Sequence, residues 1–67
     1  MIENPKLGMQ VVWGHYRGNA FNASYGYLIS WDAETACVAT TEERHNTTVI
    51  QFIERRELFE TYEAAKA

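Results

Sequence analysis

Three short apolar segments, residues 25–31, 36–41 and 47–53, follow one another with only a few polar residues between them. Connections of hairpin length force neighbouring strands to lie side by side and antiparallel. In the first segment Tyr25, Tyr27, Ile29 and Trp31 alternate with Gly26, Leu28 and Ser30. Aromatic and β-branched residues with a period of two fit a pleated surface. Asp32 opens the first connection, as aspartate commonly opens a turn, and Asn46 ends the second, where it tolerates a left-handed backbone. Residues 9–16 form a further strand, placing Met9, Val11, Trp13 and His15 on one face and Gln10, Val12, Gly14 and Tyr16 on the other. Residues 17–24 are rich in Gly, Asn, Ala and Ser and are expected to form a long first loop.

The tail admits two forms. Leu58, Tyr62 and Ala65 follow helical spacing among good helix formers, so a helix over residues 54–67 is expected. The rival is a tight turn at residues 54–57 followed by a fifth strand at 58–62. The expected fold is therefore mostly β: a small barrel or strongly bent antiparallel sheet of four to five strands with a short C-terminal helix. Residues 1–7 make an N-terminal arm, 8–53 the strands and 54–67 the helical tail, all within one small domain.

A chain of 67 residues buries a limited core, and small domains commonly add a disulfide, a metal or a partner. Cys37 is the only cysteine, so no internal disulfide forms. Cys37, His15 and His45 lack the paired spacing of a structural zinc site. Strands one, two and four carry large apolar side chains on both faces, whereas one small interior needs only one. A homo-oligomer is the expected means of burying the second face. The net charge of −3, with scattered basic residues, disfavours nucleic acid. No apolar stretch is long enough to span a membrane, and the first residues do not resemble a secretion signal, so a cytoplasmic location is expected.

No catalytic set is legible. Cys37 sits among Ala36, Val38 and Ala39, where a thiol acts as a small hydrophobe. The glutamates at 54, 57, 60 and 63 wind around a helix instead of converging. No cofactor motif is present: Arg17-Gly18-Asn19 lacks the second glycine and the Lys-Ser/Thr of a phosphate loop. The aromatics are the informative feature. Trp13, Tyr16, Phe21, Tyr25, Tyr27 and Trp31 crowd on and around the first loop, more than one small barrel can enclose. Exposed rings with a polar end suit binding surfaces. The candidate binding residues are Trp13, Tyr16, Arg17, Tyr25, Tyr27 and Gln51. They point to a non-enzymatic module that binds a protein or peptide, with stacking on single-stranded nucleic acid as an alternative.

Gly8 before Val11 and Val12, a long loop, then Gly26-Tyr27-Leu28-Ile29-Ser30-Trp31, and hairpins ending in Val49-Ile50-Gln51-Phe52-Ile53, together resemble an SH3-like barrel over residues 7–58. Within that class the chain resembles the plasmid-borne type II dihydrofolate reductases, short chains that assemble as tetramers around a pore. Gly26, Leu28 and Trp31 match their G-x-I-x-x-W pattern approximately, and residues 49–53 look like a shifted V-Q-I-Y motif. The resemblance implies a pore role for Gln51 and an alternative function as an oxidoreductase. The chain departs from the family in carrying Trp13 where a basic residue is expected, Phe52 and Ile53 where isoleucine and tyrosine are expected, and an acidic tail over residues 57–66.

Overall fold

Gly18 has a left-handed backbone (φ 64°) and Asn19 does not, which is the arrangement of a tight II′ hairpin turn. The first connection is therefore a two-residue reversal in which Arg17 pairs with Ala20. In the computed structural model, which describes residues 2–42 and 46–67, β1 (Gln10–Arg17) and β2 (Ala20–Trp31) pair without interruption, from Arg17 with Ala20 to Gln10 with Tyr27. The long first loop expected over residues 17–24 does not exist. Composition suggested a loop there, but ladder pairing with β1 and cover for Phe21 and Ala23 outweigh a weak local preference. β3 (Thr35–Glu42) and β4 (Thr47–Glu54) complete one antiparallel sheet in the order β1-β2-β3-β4. Of the polar turn expected at residues 42–46, Glu43, Arg44 and His45 lie outside the described residues.

The register sets the two faces. The inner face carries Val11, Leu28, Ala36 and Val38, all buried. Ile2 from the N-terminal arm and Leu58 from the tail complete this core, with Met9, Trp13 and Ile53 at its margin. Two glycines admit close neighbours. A Cβ at Gly26 would come within 2.9 Å of the Ala39 carbonyl oxygen and 3.1 Å of the Trp13 ring, and one at Gly14 would run into the Asn22 carbonyl oxygen and come within 2.9 Å of the Phe21 ring. β2 is irregular between Leu28 and Ser30. Ladder pairing resumes with Ser30 opposite Cys37 and Trp31 opposite Ala36, so Trp31 joins the inner face. The expectation that Trp31 shares a face with Tyr25 and Tyr27 is corrected by this bulge.

The tail combines the two forms expected of it. Arg55–Glu57 is a single 3-10 turn, Leu58 enters the core, and Phe59 bridges Val12. The Val12 amide donates to the Phe59 carbonyl, and the Phe59 amide to the Val12 carbonyl, each at 2.8 Å. α1 (Tyr62–Lys66) is the only α-helix among the described residues, and the Thr61 hydroxyl caps it by accepting from the Ala64 amide at 3.1 Å. The helix expected over 54–67 is thus confined to five residues. The reason lies in β1: Val12 is buried, so its backbone groups need partners, and an extended residue 59 supplies both.

The connection between β2 and β3 is built on Asp32. Its Oδ1 accepts from the amides of Glu34 (2.8 Å) and Thr35 (2.7 Å). Arg55 ties this turn to the arm, its guanidinium donating to the carbonyls of Asp32 (2.8 Å) and Ile2 (3.3 Å). The bond from Thr35, then that from Glu34, then the charge of Arg55 hold the Asp32 carboxyl below its ordinary value of 3.8. The folded chain favours the charged form, so its stabilising effect is complete above that value and is lost as acid protonates the carboxylate. Below about pH 4, Asp32→Asn should accordingly show a shallower loss of stability with falling pH than the wild type, read from urea midpoints. In the core, Leu58→Ala should cost about 2–5 kcal/mol, measured by urea unfolding at neutral pH.

Candidate functional site

On the outer face, β2, β3 and β4 present aligned rows. Tyr27 lies opposite Ala39, which lies opposite Ile50; Ser30 lies opposite Cys37, which lies opposite Phe52. Residues directly opposite one another share a face. Tyr27 and Ile50 therefore flank Ala39, whereas Cys37 has the large Phe52 on its β4 side and the small Ser30 on its β2 side. The result is a trough floored by Ala39 and Cys37, with ridges of Tyr25 and Tyr27 on one side and Ile50 and Phe52 on the other. These ridges are open: Phe52 is 76% exposed, Tyr27 55%, Ile50 50% and Tyr25 49%. Thr41 and Thr48 extend the surface at one end. At the other end Glu54 pairs with Arg56 at 2.7 Å, and no other charged residue of β2–β4 falls on this face among the described residues.

The same face of the sheet is covered over β1 and the start of β2. Phe21 contacts Tyr16 (ring centroids 5.1 Å apart) and Tyr62 of α1 (5.7 Å). The Tyr16 hydroxyl donates to the Lys66 carbonyl at 2.6 Å, and the Lys66 ammonium lies 5.7 Å from the Tyr62 ring centroid. The tail thus shields one half of the outer face and leaves the half over β2–β4 bare.

The six residues expected to form a binding site are dispersed by this arrangement. Tyr25 and Tyr27 stand together on the bare outer face. Trp13 lies half-buried over Gly26 on the inner face. Tyr16 holds the tail, and exposed Arg17 ends β1 beside the tight hairpin. Gln51 pairs with Val38 on the inner side, its amide donating to the Thr40 hydroxyl at 3.4 Å, away from the outer rows. Ile50 and Phe52, which sequence reasoning did not place in a site, complete the surface. Their signal was present in the parity of strand four, where they fall on the face opposite Val49 and Ile53.

Other concavities offer less. A narrow niche between Ile2, Pro5, Leu28, Trp31 and Leu58 is a gap in the core margin, and an open depression lies between Ala33, Glu34, Glu54 and Arg56. Among the described residues no three His, Cys, Asp or Glu side chains converge as a metal site would require. No helix among them is long and apolar enough to cross a membrane. No family model matches the chain, and comparison with curated proteins and with solved structures finds no match.

The position of Tyr16 separates a structural role from a binding one. Tyr16→Phe should speed hydrogen exchange at the amides of α1 and leave β2–β4 protection unchanged, at a cost of roughly 0.5–1.5 kcal/mol or less in global stability.

Proposed function

We propose that this chain is a non-enzymatic interaction module that binds a protein partner through the outer face over β2–β4. The observation that carries this reading is the open, uncharged trough between the Tyr25–Tyr27 and Ile50–Phe52 ridges. The surface differs from the one expected around a first loop: two of its residues, Tyr25 and Tyr27, are retained, and β4 supplies the rest. Rings and branched side chains offer large contact area at modest entropic cost, and tyrosine hydroxyls reach polar partners at the edge.

The electrostatics support protein over nucleic acid. Neutralising phosphates requires cations, and the net charge is −3 while the one cation at this face among the described residues, Arg56, is paired with Glu54. The Val12–Phe59 bridge, which brings the tail back to β1, supports reading the bent sheet as a small SH3-like barrel.

The proposal is tested by panning a peptide library against the chain at nanomolar concentration and mapping the selected peptides by amide chemical shifts. Shifts should concentrate at Tyr25, Tyr27, Ala39, Ile50 and Phe52, and Phe52→Asp should weaken binding at least tenfold. Peptides that bind the Phe52→Asp variant equally well, or that map to the β1 hairpin, would remove this face from the function.

A further inference from the structure

The chemistry of the outer face also indicates what covers it. We infer that the occupant is a second copy of this chain, docked face to face about a two-fold axis that runs along the strands between β3 and β4. This inference rests on the reading of the outer face as a binding surface and specifies its partner.

Shape is the first argument. The step from the large Ile50 and Phe52 of β4 down to the small Ala39 and Cys37 of β3 is complementary to itself under a two-fold rotation. Rotation about an axis between β3 and β4 sets β4 of each copy over β3 of the other. Phe52 and Cys37 are cross-strand partners at the same height, so Phe52 of one copy then lies over Cys37 of the other, and Ile50 over Ala39. Small residues thereby receive large ones on both sides of the axis. Two twisted sheets packed in this aligned way enclose a core about 10 Å thick.

Area is the second argument. Tyr25, Tyr27, Ile50 and Phe52 together leave on the order of 450 Å² exposed, taking roughly 200 Å² for each whole side chain. Cys37, Ala39, Thr41 and Thr48 add to it, bringing the face near the ~800 Å² per partner of an ordinary stable interface. A patch of this size is at the upper end of what a monomer leaves open.

The sheet edge is the third. β4 ends the sheet, and its run Thr47-Thr48-Val49-Ile50-Gln51-Phe52-Ile53 has no lysine or proline and no bulge against β3. Edges of this kind are normally guarded against pairing with other chains. In the two-fold arrangement the Tyr25–Tyr27 ridge of one copy runs along the β4 edge of the other and guards it. Charge agrees with this arrangement. A foreign partner selected by electrostatic complementarity would find little to read in the trough, whereas two identical faces, with the Glu54–Arg56 pair at one end only, meet with little desolvation of charge.

Light scattering coupled to size exclusion tests the inference on the whole chain from low to high micromolar concentration. The mass should rise from one chain, 7.7 kDa, towards twice that value as concentration increases. Phe52→Asp should weaken association at least tenfold, and Ile50→Asp should do the same should Phe52→Asp not fold by circular dichroism. In parallel, the Cys37 thiol should react more slowly with a maleimide at high concentration than at low in the wild type, with no such difference in Phe52→Asp. A mass of one chain at high micromolar concentration overturns the inference. So does a dimer that persists in folded Phe52→Asp and Ile50→Asp. Phe52-dependent peptide binding by a chain that stays monomeric would leave the interaction module standing and remove only the second copy. Absence of both would remove the two together.

Discussion

The reciprocal pair of hydrogen bonds between Val12 and Phe59 holds the architecture together. Val12 is buried at the outer side of β1, where a free amide and carbonyl would cost about 1–3 kcal/mol for each group left unpaired. Satisfying both from residue 59 commits the tail to an extended conformation at that point. Leu58 is then turned into the core between Ile2 and Leu28, and Phe59 is placed beside Val12 on the opposite face. A helix of five residues has no independent stability, because nucleation is costly and few bonds follow it. It exists here because the bridge delivers Thr61 and Tyr62 to the place where Phe21 and Tyr16 wait. Arg55 performs a similar service at the other end of the core, joining the Asp32 turn to Ile2 of the arm.

How the rings are distributed follows from three backbone details. Gly26 leaves room for the Ala39 carbonyl and the Trp13 ring, and Gly14 for the Asn22 carbonyl and the Phe21 ring. The bulge near Ile29 rotates Trp31 inward. Together they account for most of the aromatic excess that a small barrel could not enclose on one side. Trp13 and Trp31 go to the core margin, and Tyr16 and Phe21 cluster with Tyr62 of the tail, Tyr16 keeping much of its ring exposed. What remains is the surface of Tyr25, Tyr27, Ile50 and Phe52. Its openness is the geometric remainder of a sheet with two apolar faces and a tail long enough to cover half of one. A face left over in this way sets small residues of β3 beside large ones of β4 on an open, mostly apolar surface.

Much of this was legible in the residues. Period-two alternation and short polar connections specified β1, the second half of β2, β3 and β4 to within a residue or two, because side chains on a strand alternate between faces whatever surrounds them. The exposure of Tyr25 and Tyr27 was legible for the same reason, as was the presence of a second apolar face. Ile50 and Phe52 belonged to that face by parity and were not assigned to a site, because parity states which residues share a face and is silent on which face is covered. The first hairpin was misjudged at residues 20–24, where Ala, Asn and Ser resemble a loop and the pairing that makes them a strand comes from β1.

The division between sequence and tertiary structure follows from the range of the forces involved. Local alternation, turn chemistry at Asp32 and Gly18, and the lack of a cysteine pair are properties of neighbouring residues, and the sequence by itself determined a meander of antiparallel strands with more apolar surface than one interior holds. Where Ile2 and Leu58 go, whether residues 54–61 wind or extend, and which half of the outer face the tail shields depend on contacts between residues some fifty positions apart, such as Tyr16 with Lys66 and Arg55 with Ile2. Those contacts are chosen by the need to satisfy the Val12 backbone and to fill the core at once. That requirement exists only when the whole chain is in place, and it is what made the trough over β2–β4 the surface left open.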